Sequence, residues 1–235
     1  MIKTINYITW DLNVEDTEDF WVEKRGYYEQ GVIGMINKYV KEGMIVIDVG
    51  ANMGCETLPM AILVGNKGKV ISFEPLTYSF NKMVRNIELN PRLKDIIILE
   101  KVALSDTKEE KADPIMRDSK YAPREVVPFI TLDYYVEENK LERLDFIKID
   151  VDGYELKVLT GAKDTLTRFK PIMVVEFQKK TLTEEVIIFL TSLEYKFYIL
   201  SGNSYGVDEI EVTGQAIIDS CPIDGCKDYL VKVKK

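Results

Sequence analysis

Histidine is absent from the 235-residue sequence. With it go the commonest general base near neutral pH, every histidine-containing triad and the usual zinc sites. Acid–base chemistry is left to Asp, Glu, Lys, Tyr or water. Cysteine is scarce as well: Cys55, Cys221 and Cys226 are the full set. An odd, sparse set is not a disulfide framework and suits a reducing compartment. Cys221 and Cys226 share the stretch CPIDGC, but with no histidine and no second pair they lack the ligands of a zinc site. They read as loop thiols, with a local disulfide as the lesser alternative. Basic residues are in deficit, 31 Lys+Arg against 39 Asp+Glu, for a net charge of −8. That balance argues against a nucleic-acid partner, because phosphate binding draws on clustered Lys and Arg. No apolar run nears the ~20 residues that cross a bilayer, since Asp48 and Glu56 interrupt the richest stretch. The opening residues, MIKTINYITWDLNVEDTEDF, turn acidic almost at once and lack the basic-then-apolar plan of a signal peptide. A cytoplasmic protein with no membrane partner is the expectation. Repeats, low-complexity tracts and Gly/Ser/Pro-rich linkers are also missing, which predicts one domain over 1–235.

What is present is alternation. MIVIDVG (44–50), KVISFEP (69–75), DIIILEKVAL (95–104), DFIKIDV (145–151) and PIMVVEF (171–177) are short β-branched apolar runs. Runs of this kind suit a parallel sheet buried on both faces. Helical spacing lies between them. Val32, Met35, Ile36, Tyr39 and Val40 predict a helix before the first strand. Phe80, Met83, Val84 and Ile87 predict one over 76–89, stopped by Pro91. Leu156, Leu159, Leu166 and Phe169 predict one over 155–169, weakened at Gly161, and Val186, Ile187, Leu190 and Leu193 predict another over 183–194. The pattern is that of a doubly wound α/β fold. YKFYIL (195–200) and DYLVKV (228–233) read as strands with no helix between them, forming an antiparallel hairpin at one edge. The stretch 105–128, with three prolines, reads as loops over the carboxyl ends of the sheet. Trp10, Trp21, Tyr27 and Tyr28 make an aromatic N-terminal segment, read as core packing with a substrate lid as the alternative.

In an open parallel sheet, ligands bind beyond the carboxyl ends of the strands. The first strand ends Asp48-Val49-Gly50-Ala51-Asn52-Met53-Gly54. Two glycines permit a tight turn and close approach of a ligand to the backbone. Asp48 beside that turn suits a ligand with a cationic part better than a diphosphate, and the G-x-G-x-x-G pattern is missing. The second strand ends at Glu74, 24 residues after Gly50, near the ~20-residue offset at which an acidic side chain reaches ribose hydroxyls. Together these ends describe a pocket for a nucleoside carrying a positive group, as in S-adenosylmethionine. The fourth strand ends Lys148-Ile149-Asp150-Val151-Asp152-Gly153-Tyr154-Glu155. Alternation sends Lys148, Asp150 and Asp152 to one side if the strand persists. Asp152 reads as the cap of the next helix, Asp150 as a pocket residue, and Lys148 as a partner for a neighbouring carboxylate. Glu176 ends the fifth strand in the same manner.

These residues carry a resemblance. IDVGANMG (47–54), VISFEP (70–75), VALSD (102–106), FIKIDVDGYELKVLTGA (146–162) and IMVVEF (172–177), in order from about Glu29 to Phe177, resemble the FkbM family of S-adenosylmethionine-dependent methyltransferases. The resemblance implies the class I methyltransferase (Rossmann-like) fold, a mostly parallel seven-stranded sheet with an antiparallel C-terminal hairpin. The expected layout of the one domain is a cap segment and helix over 1–43, a cofactor-binding core over 44–200, and a loop and last edge strand over 201–235. The resemblance also implies the activity, O-methylation of a hydroxyl on a sugar or other small natural product, so a small-molecule or glycan acceptor. Asp48, Gly50, Asn52 and Gly54 are implied to shape the methionine side of the cofactor and Glu74 to hold the ribose. Ala103, with Ser105-Asp106, is implied beside the adenine, Asp150 at the sulfonium end, and Glu29 closing over the cofactor. The sequence departs from the family twice. Asp152 stands where Glu is usual, and Pro59 lies so early in its helix that the helix starts late, near Thr57, or bends.

With no histidine, Asp150 is the first candidate for the base that accepts a hydroxyl proton, with Asp152 and Glu176 behind it. No metal ligand set is assigned, although Asp150, Asp152 and Glu176 leave a cation-dependent enzyme open. A nicotinamide-dependent oxidoreductase on the same architecture, with Glu74 on its ribose, and a non-catalytic binding domain are the alternatives. The acceptor and the oligomeric state are not legible.

Overall fold

The computed structural model describes residues 1–107, 125–178, 180–203, 206–220 and 226–233. It begins with a hairpin, β1 (Ile2–Ile5) and β2 (Ile8–Asp11), then α1 (Thr17–Arg25) and α2 (Gln30–Tyr39). Strands and helices then alternate through β3 (Ile45–Val49), α3 (Thr57–Val64), β4 (Lys69–Phe73), α4 (Thr77–Glu88) and β5 (Ile97–Glu100). A short pair, β6 (Ala103–Leu104) and β7 (Phe129–Ile130), leads to α5 (Leu132–Glu138) and β8 (Phe146–Ile149). Next come α6 (Glu155–Thr160), α7 (Lys163–Phe169), β9 (Ile172–Gln178) and α8 (Lys180–Ser192). The last elements are β10 (Tyr195–Asn203), β11 (Gly206–Val212), α9 (Gly214–Ser220) and β12 (Cys226–Val233).

The main sheet runs β11-β10-β12-β9-β8-β3-β4-β5. Strands β5, β4, β3, β8 and β9 are parallel, and β12 enters antiparallel between β9 and β10. This is the expected doubly wound sheet with its antiparallel C-terminal pair. The last strand, β12, expected at the edge, instead lies inside the sheet, and an eighth strand, β11, within the stretch expected to be loop, forms the edge; β11 and α9 separate the two strands of the predicted hairpin. Each face of the sheet has its own core. Val46 joins Met35, Ile36, Leu58 and Met83 on one face, while Ile47 and Val49 join Val158, Leu166 and Leu190 on the other. Burial on both faces is why the central strands read as continuous apolar runs.

The chain leaves β3 for β4 and β5 on one side, then returns to β8 and β9 on the other. Strand order therefore reverses between β3 and β8, and a crevice opens at their carboxyl ends. Two helices bear on that crevice. Helix α3 starts at Thr57 and accommodates Pro59 in its first turn, where a missing N–H costs least. The single helix predicted over 155–169 is instead two, broken at Gly161. A Cβ at Gly161 would lie 2.0 Å from the Ser105 carbonyl oxygen, so glycine lets the chain after β6 cross there.

The N-terminal hairpin turns at Asn6 and Tyr7, both at positive φ. It docks through asparagine side chains rather than through the sheet. The Thr9 and Asp11 amides donate to Asn90 and Asn86 (both 2.9 Å), and Asn86 also donates to the Met53 carbonyl (3.0 Å). Asn86 thus ties the hairpin to the turn after β3. Trp10 is buried in the core, as read. Among the described residues no helix is long and apolar enough to cross a membrane. Cys221, the side chain of Cys226 and positions 108–124 of the predicted loop lie outside the described residues.

Candidate active site

A cavity occupies the crevice at the ends of β3, β4, β8 and β9. Its floor is set by the turn after β3, where Gly50, Asn52 and Gly54 all take positive φ. The Gly50 and Ala51 amides both donate to the Phe73 carbonyl (3.0 and 3.1 Å), fastening the turn to β4. A Cβ on Gly50 would sit 1.9 Å from the Asp150 carbonyl oxygen. The close approach expected of a ligand is thus made first by the protein's own β8 end.

Glu74, buried at the tip of β4, is held from both sides. Its Oε2 accepts from the Asn52 amide (2.8 Å) and its Oε1 from the Leu76 amide (2.9 Å). These two amides fix the plane of the carboxylate. Asn52 Nδ2 in turn donates to Glu18 on α1 (2.9 Å), which also lines the cavity. Beyond Glu74 the wall turns apolar through Val102, Ala103 and Leu104, with Phe129 and Tyr154 stacked 6.2 Å apart.

At the end of β8, Lys148 is 2% exposed. Its Nζ lies 3.2 Å from Asp150 Oδ2 and 3.9 Å from Asp48 Oδ1, the paired role anticipated for it. Burial opposes its charge, yet Asp150, Asp48, Glu56 and Glu29 together hold its pKa well above the usual lysine range. Asp48 is fully buried and accepts from Thr57 Oγ1 (2.5 Å); burial pushes its carboxyl up against the pull of Lys148. Burial likewise raises Glu56, strongly, and Glu29, with Lys148 opposing and neighbouring carboxylates adding to both shifts. Asp228, opposite Glu176 across the β9–β12 ladder, is pushed well up by burial and then by Glu29, Asp150 and Glu176.

Most of the residues singled out from the sequence meet here: Glu29, Gly50, Asn52, Glu74, Ala103, Asp150, Asp152 and Glu176 all line the cavity. Asp48 and Gly54 do not. They lie behind the wall, Asp48 on Lys148 and Thr57 and Gly54 against Leu58. Ser105 and Asp106 also stand outside it and hydrogen-bond each other (3.0 Å). Strand β8 stops at Ile149, and Asp152 takes a positive φ. The helix cap read at Asp152 is not made by it. Tyr154 occupies the N-cap, and the buried Glu155 accepts from the Val151 and Gly153 amides (3.2 and 3.1 Å). Tyr28, read as core or lid, lines the cavity, and the sequence reading missed Glu18 and Glu56 there and Asp228 beside Glu176. Glu56 had a signal, a carboxylate two residues past Gly54. The others arrive from distant elements with no local mark.

The family profile described as the methyltransferase FkbM domain matches residues 48–197. The chain belongs to the FkbM methyltransferase family. It is 24% identical over 181 residues, 74% of this chain and 73% of the relative, to the hexuronic acid methyltransferase AglP of Haloferax volcanii. Its fold is similar to that of methyltransferase FkbM from Methylobacillus flagellatus KT (TM-score 0.51, 14% identity, 84% of this chain and 50% of that one). It is also similar to SMU.1697c of Streptococcus mutans in complex with S-adenosylhomocysteine (TM-score 0.51, 11% identity, 85% and 94%). The sheet order is thus that of a class I methyltransferase, and S-adenosylmethionine is the cofactor of this FkbM enzyme. Membership displaces the nicotinamide alternative. The wall fits the cofactor: a fixed carboxylate at Glu74 for a diol, an apolar slot at Val102–Leu104 for a flat base, and an excess of carboxylates for a cationic centre.

Proposed function

We propose that this FkbM methyltransferase methylates a hydroxyl oxygen of a sugar-like acceptor. The observation that carries the reading is the position of Asp150. Its carbonyl abuts the Gly50 turn on the cofactor side, and its carboxylate lies in the cavity beside Glu29 and Glu176. A hexuronic acid methyltransferase among the relatives supports a sugar-type acceptor.

In this reading Glu74 accepts hydrogen bonds from the ribose, Ala103 and its neighbours flank the adenine, and the Gly50–Asn52 backbone bounds the methionine end. Glu29, entering from α2, covers the site. S-adenosylmethionine supplies an already electrophilic methyl group. The protein's share is alignment, which can contribute ~7–11 kcal/mol in well-oriented reactions. It also removes the acceptor proton, worth ~10²–10⁴-fold for a placed base. Asp150 Oδ would take that proton as the acceptor oxygen gains the methyl group and S-adenosylhomocysteine is released. Asp152 and Glu176 orient the hydroxyl.

The test has two stages. Isothermal titration with S-adenosylhomocysteine is expected to show one site per chain, and its absence would overturn the reading. Labelled methyl transfer to neutral sugars and uronic acids, with products identified by mass spectrometry, is expected to give O-methyl ethers. Asp150→Asn should lower turnover ~10²-fold or more while retaining cofactor binding. Unchanged turnover removes Asp150 as the base, and no product with any sugar acceptor favours a binding domain instead.

A further inference from the structure

The cavity gathers more carboxylates than the single base that the proposed transfer needs. Glu29 stands at the N-cap of α2, Asp150 just past β8 and Glu176 near the end of β9. Each offers one oxygen, and the three oxygens lie within 4.8 Å of one another. Oxygen ligands sit ~2.3–2.6 Å from a calcium-sized cation, so two on opposite sides of the ion are ~4.6–5.2 Å apart. A spacing of at most 4.8 Å is compatible with that limit. Magnesium, at ~2.0–2.1 Å, holds opposite ligands ~4.0–4.2 Å apart and asks the widest pair to close by up to ~0.8 Å.

A second observation stands apart from this trio. Glu56 is 3% exposed and lines the same cavity, and its Oε1 has no hydrogen-bond partner among the described residues. Leaving a buried polar atom unsatisfied costs ~1–3 kcal/mol, more when it is charged. A buried carboxyl in the wall of a cavity, with that atom unpartnered, calls for a donor or a positive charge from outside the chain. Lys148 is already engaged by Asp48 and Asp150. S-adenosylmethionine, with a sulfonium, an ammonium and a carboxylate, brings one net positive charge to a cavity that also holds Glu29, Glu56 and Glu176.

We propose that Glu29, Asp150 and Glu176 bind one hard divalent cation, which presents its open positions to adjacent oxygens of the acceptor. The inference rests on the O-methyltransferase reading and deepens it. An acidic sugar would be repelled by this wall of carboxylates, and a bridging cation reverses that sign. Two or three protein oxygens with remaining positions open is the usual arrangement where a hard cation also holds substrate. Glu56, outside the trio, lines the same cavity and adds to the negative charge that the ion offsets.

The experiment titrates Mn²⁺ into the full-length protein after EDTA treatment, with free Mn²⁺ followed by electron paramagnetic resonance. Titrations run with and without S-adenosylhomocysteine. One Mn²⁺ per chain is expected, displaced by Mg²⁺ or Ca²⁺. Changes outside the ligand shell already cost ~10–100-fold in metal affinity, so Glu176→Gln and Glu29→Gln should each weaken Mn²⁺ at least ~tenfold. Glu88→Gln, on the exposed face of α4, should leave it unchanged. Circular dichroism and cofactor titration verify that each variant is folded. No Mn²⁺ bound at millimolar concentration, or binding indifferent to both site variants, overturns the cation site. If cofactor binding is normal in that protein, the methyltransferase reading stands. Mn²⁺ bound as expected with no cofactor affinity supports the site and sinks the reading it rests on.

Discussion

Lys148→Met is the most informative single change, because it removes the ammonium on which the carboxylate cluster draws while roughly keeping its volume. At 3.2 and 3.9 Å from Asp150 and Asp48, its attractions are about 5 and about 4 kcal/mol at an effective dielectric of ~20. Taking an ammonium out of water offsets several kcal/mol of that. Breaking a buried pair by deleting one partner typically costs ~3–5 kcal/mol, since the other charge stays behind. For a chain of this size that corresponds to a fall in Tm of roughly 6–20 °C. The pH dependence has a definite sign. Asp48 and Glu56 have carboxyls raised in the fold, so their charged forms are penalised above the ordinary carboxylate range. As pH falls they take up protons and the missing ammonium matters less. The difference between wild type and variant should therefore be largest at pH 7–8 and shrink toward pH 5. Urea denaturation at several pH values measures it, and Lys148→Met/Asp48→Asn should recover part of the loss. A single variant as stable as wild type at pH 7.5, or a double variant no better than the single, would refute the reasoning.

Gly50→Ala forces a Cβ to within 1.9 Å of the Asp150 carbonyl at a φ of +81°. The left-handed conformation costs a non-glycine residue ~1–2 kcal/mol, and overpacking adds ~1–3 kcal/mol. Both stability and S-adenosylhomocysteine affinity should fall together, and loss of neither means the two strand ends do not meet as described. Glu209 on β11 is engaged by Lys38, Lys232 and Tyr39, and despite burial those lysines hold its carboxyl below the usual range. A depressed carboxyl contributes stability above its unfolded pKa of about 4.5 that is lost as pH falls through the folded value. Glu209→Gln should lower Tm at pH 7 and converge on wild type below pH 4.5, as scanning calorimetry would show; a pH-independent difference assigns Glu209 no such role.

That same residue explains why β11 was not legible. Its face toward α2 carries Glu209, and Ile210, on the opposite face, is 50% exposed. An inward charge and an outward isoleucine invert the alternation that marks a half-buried strand, so GVDEIEV reads as loop. Edge strands tolerate such inversion because charge there discourages pairing with another chain. The N-terminal hairpin escaped for a different reason. Its two turn residues at positive φ are Asn6 and Tyr7, and tyrosine gives no turn signal where glycine usually stands. The central strands were legible because double-sided burial leaves no freedom in their composition. The strand-end residues Glu74, Asp150 and Glu176 followed from them, since a parallel sheet delivers its strand tips to one edge. Glu18 reaches the site, and Asp228 the strand position beside Glu176, from elements whose placement depends on packing, which no local pattern encodes.

The missing histidine and the crowded carboxylates are two sides of one design. An isolated aspartate near its ordinary pKa of ~3.9 is a poor acceptor for an alcohol proton at neutral pH, and general-base efficiency improves as the base's pKa approaches the working pH. Without an imidazole, the means left are burial and like charges held close, which together raise carboxylates. Glu29, Asp48, Glu56 and Asp228 all show that shift upward, and Asp150, the proposed base, stands beside them with Lys148 3.2 Å away. Crowding alone would protonate the whole set and leave no base. Lys148 opposes this by holding charge on its neighbours, which is why a lysine is buried there at the cost of its own desolvation. The cluster is therefore poised between two neutralising agents, protons and cations. A divalent ion competes with protons for the same oxygens, so occupancy should pull the pH–rate profile toward acid, whereas a purely carboxylate-based mechanism has a profile indifferent to EDTA.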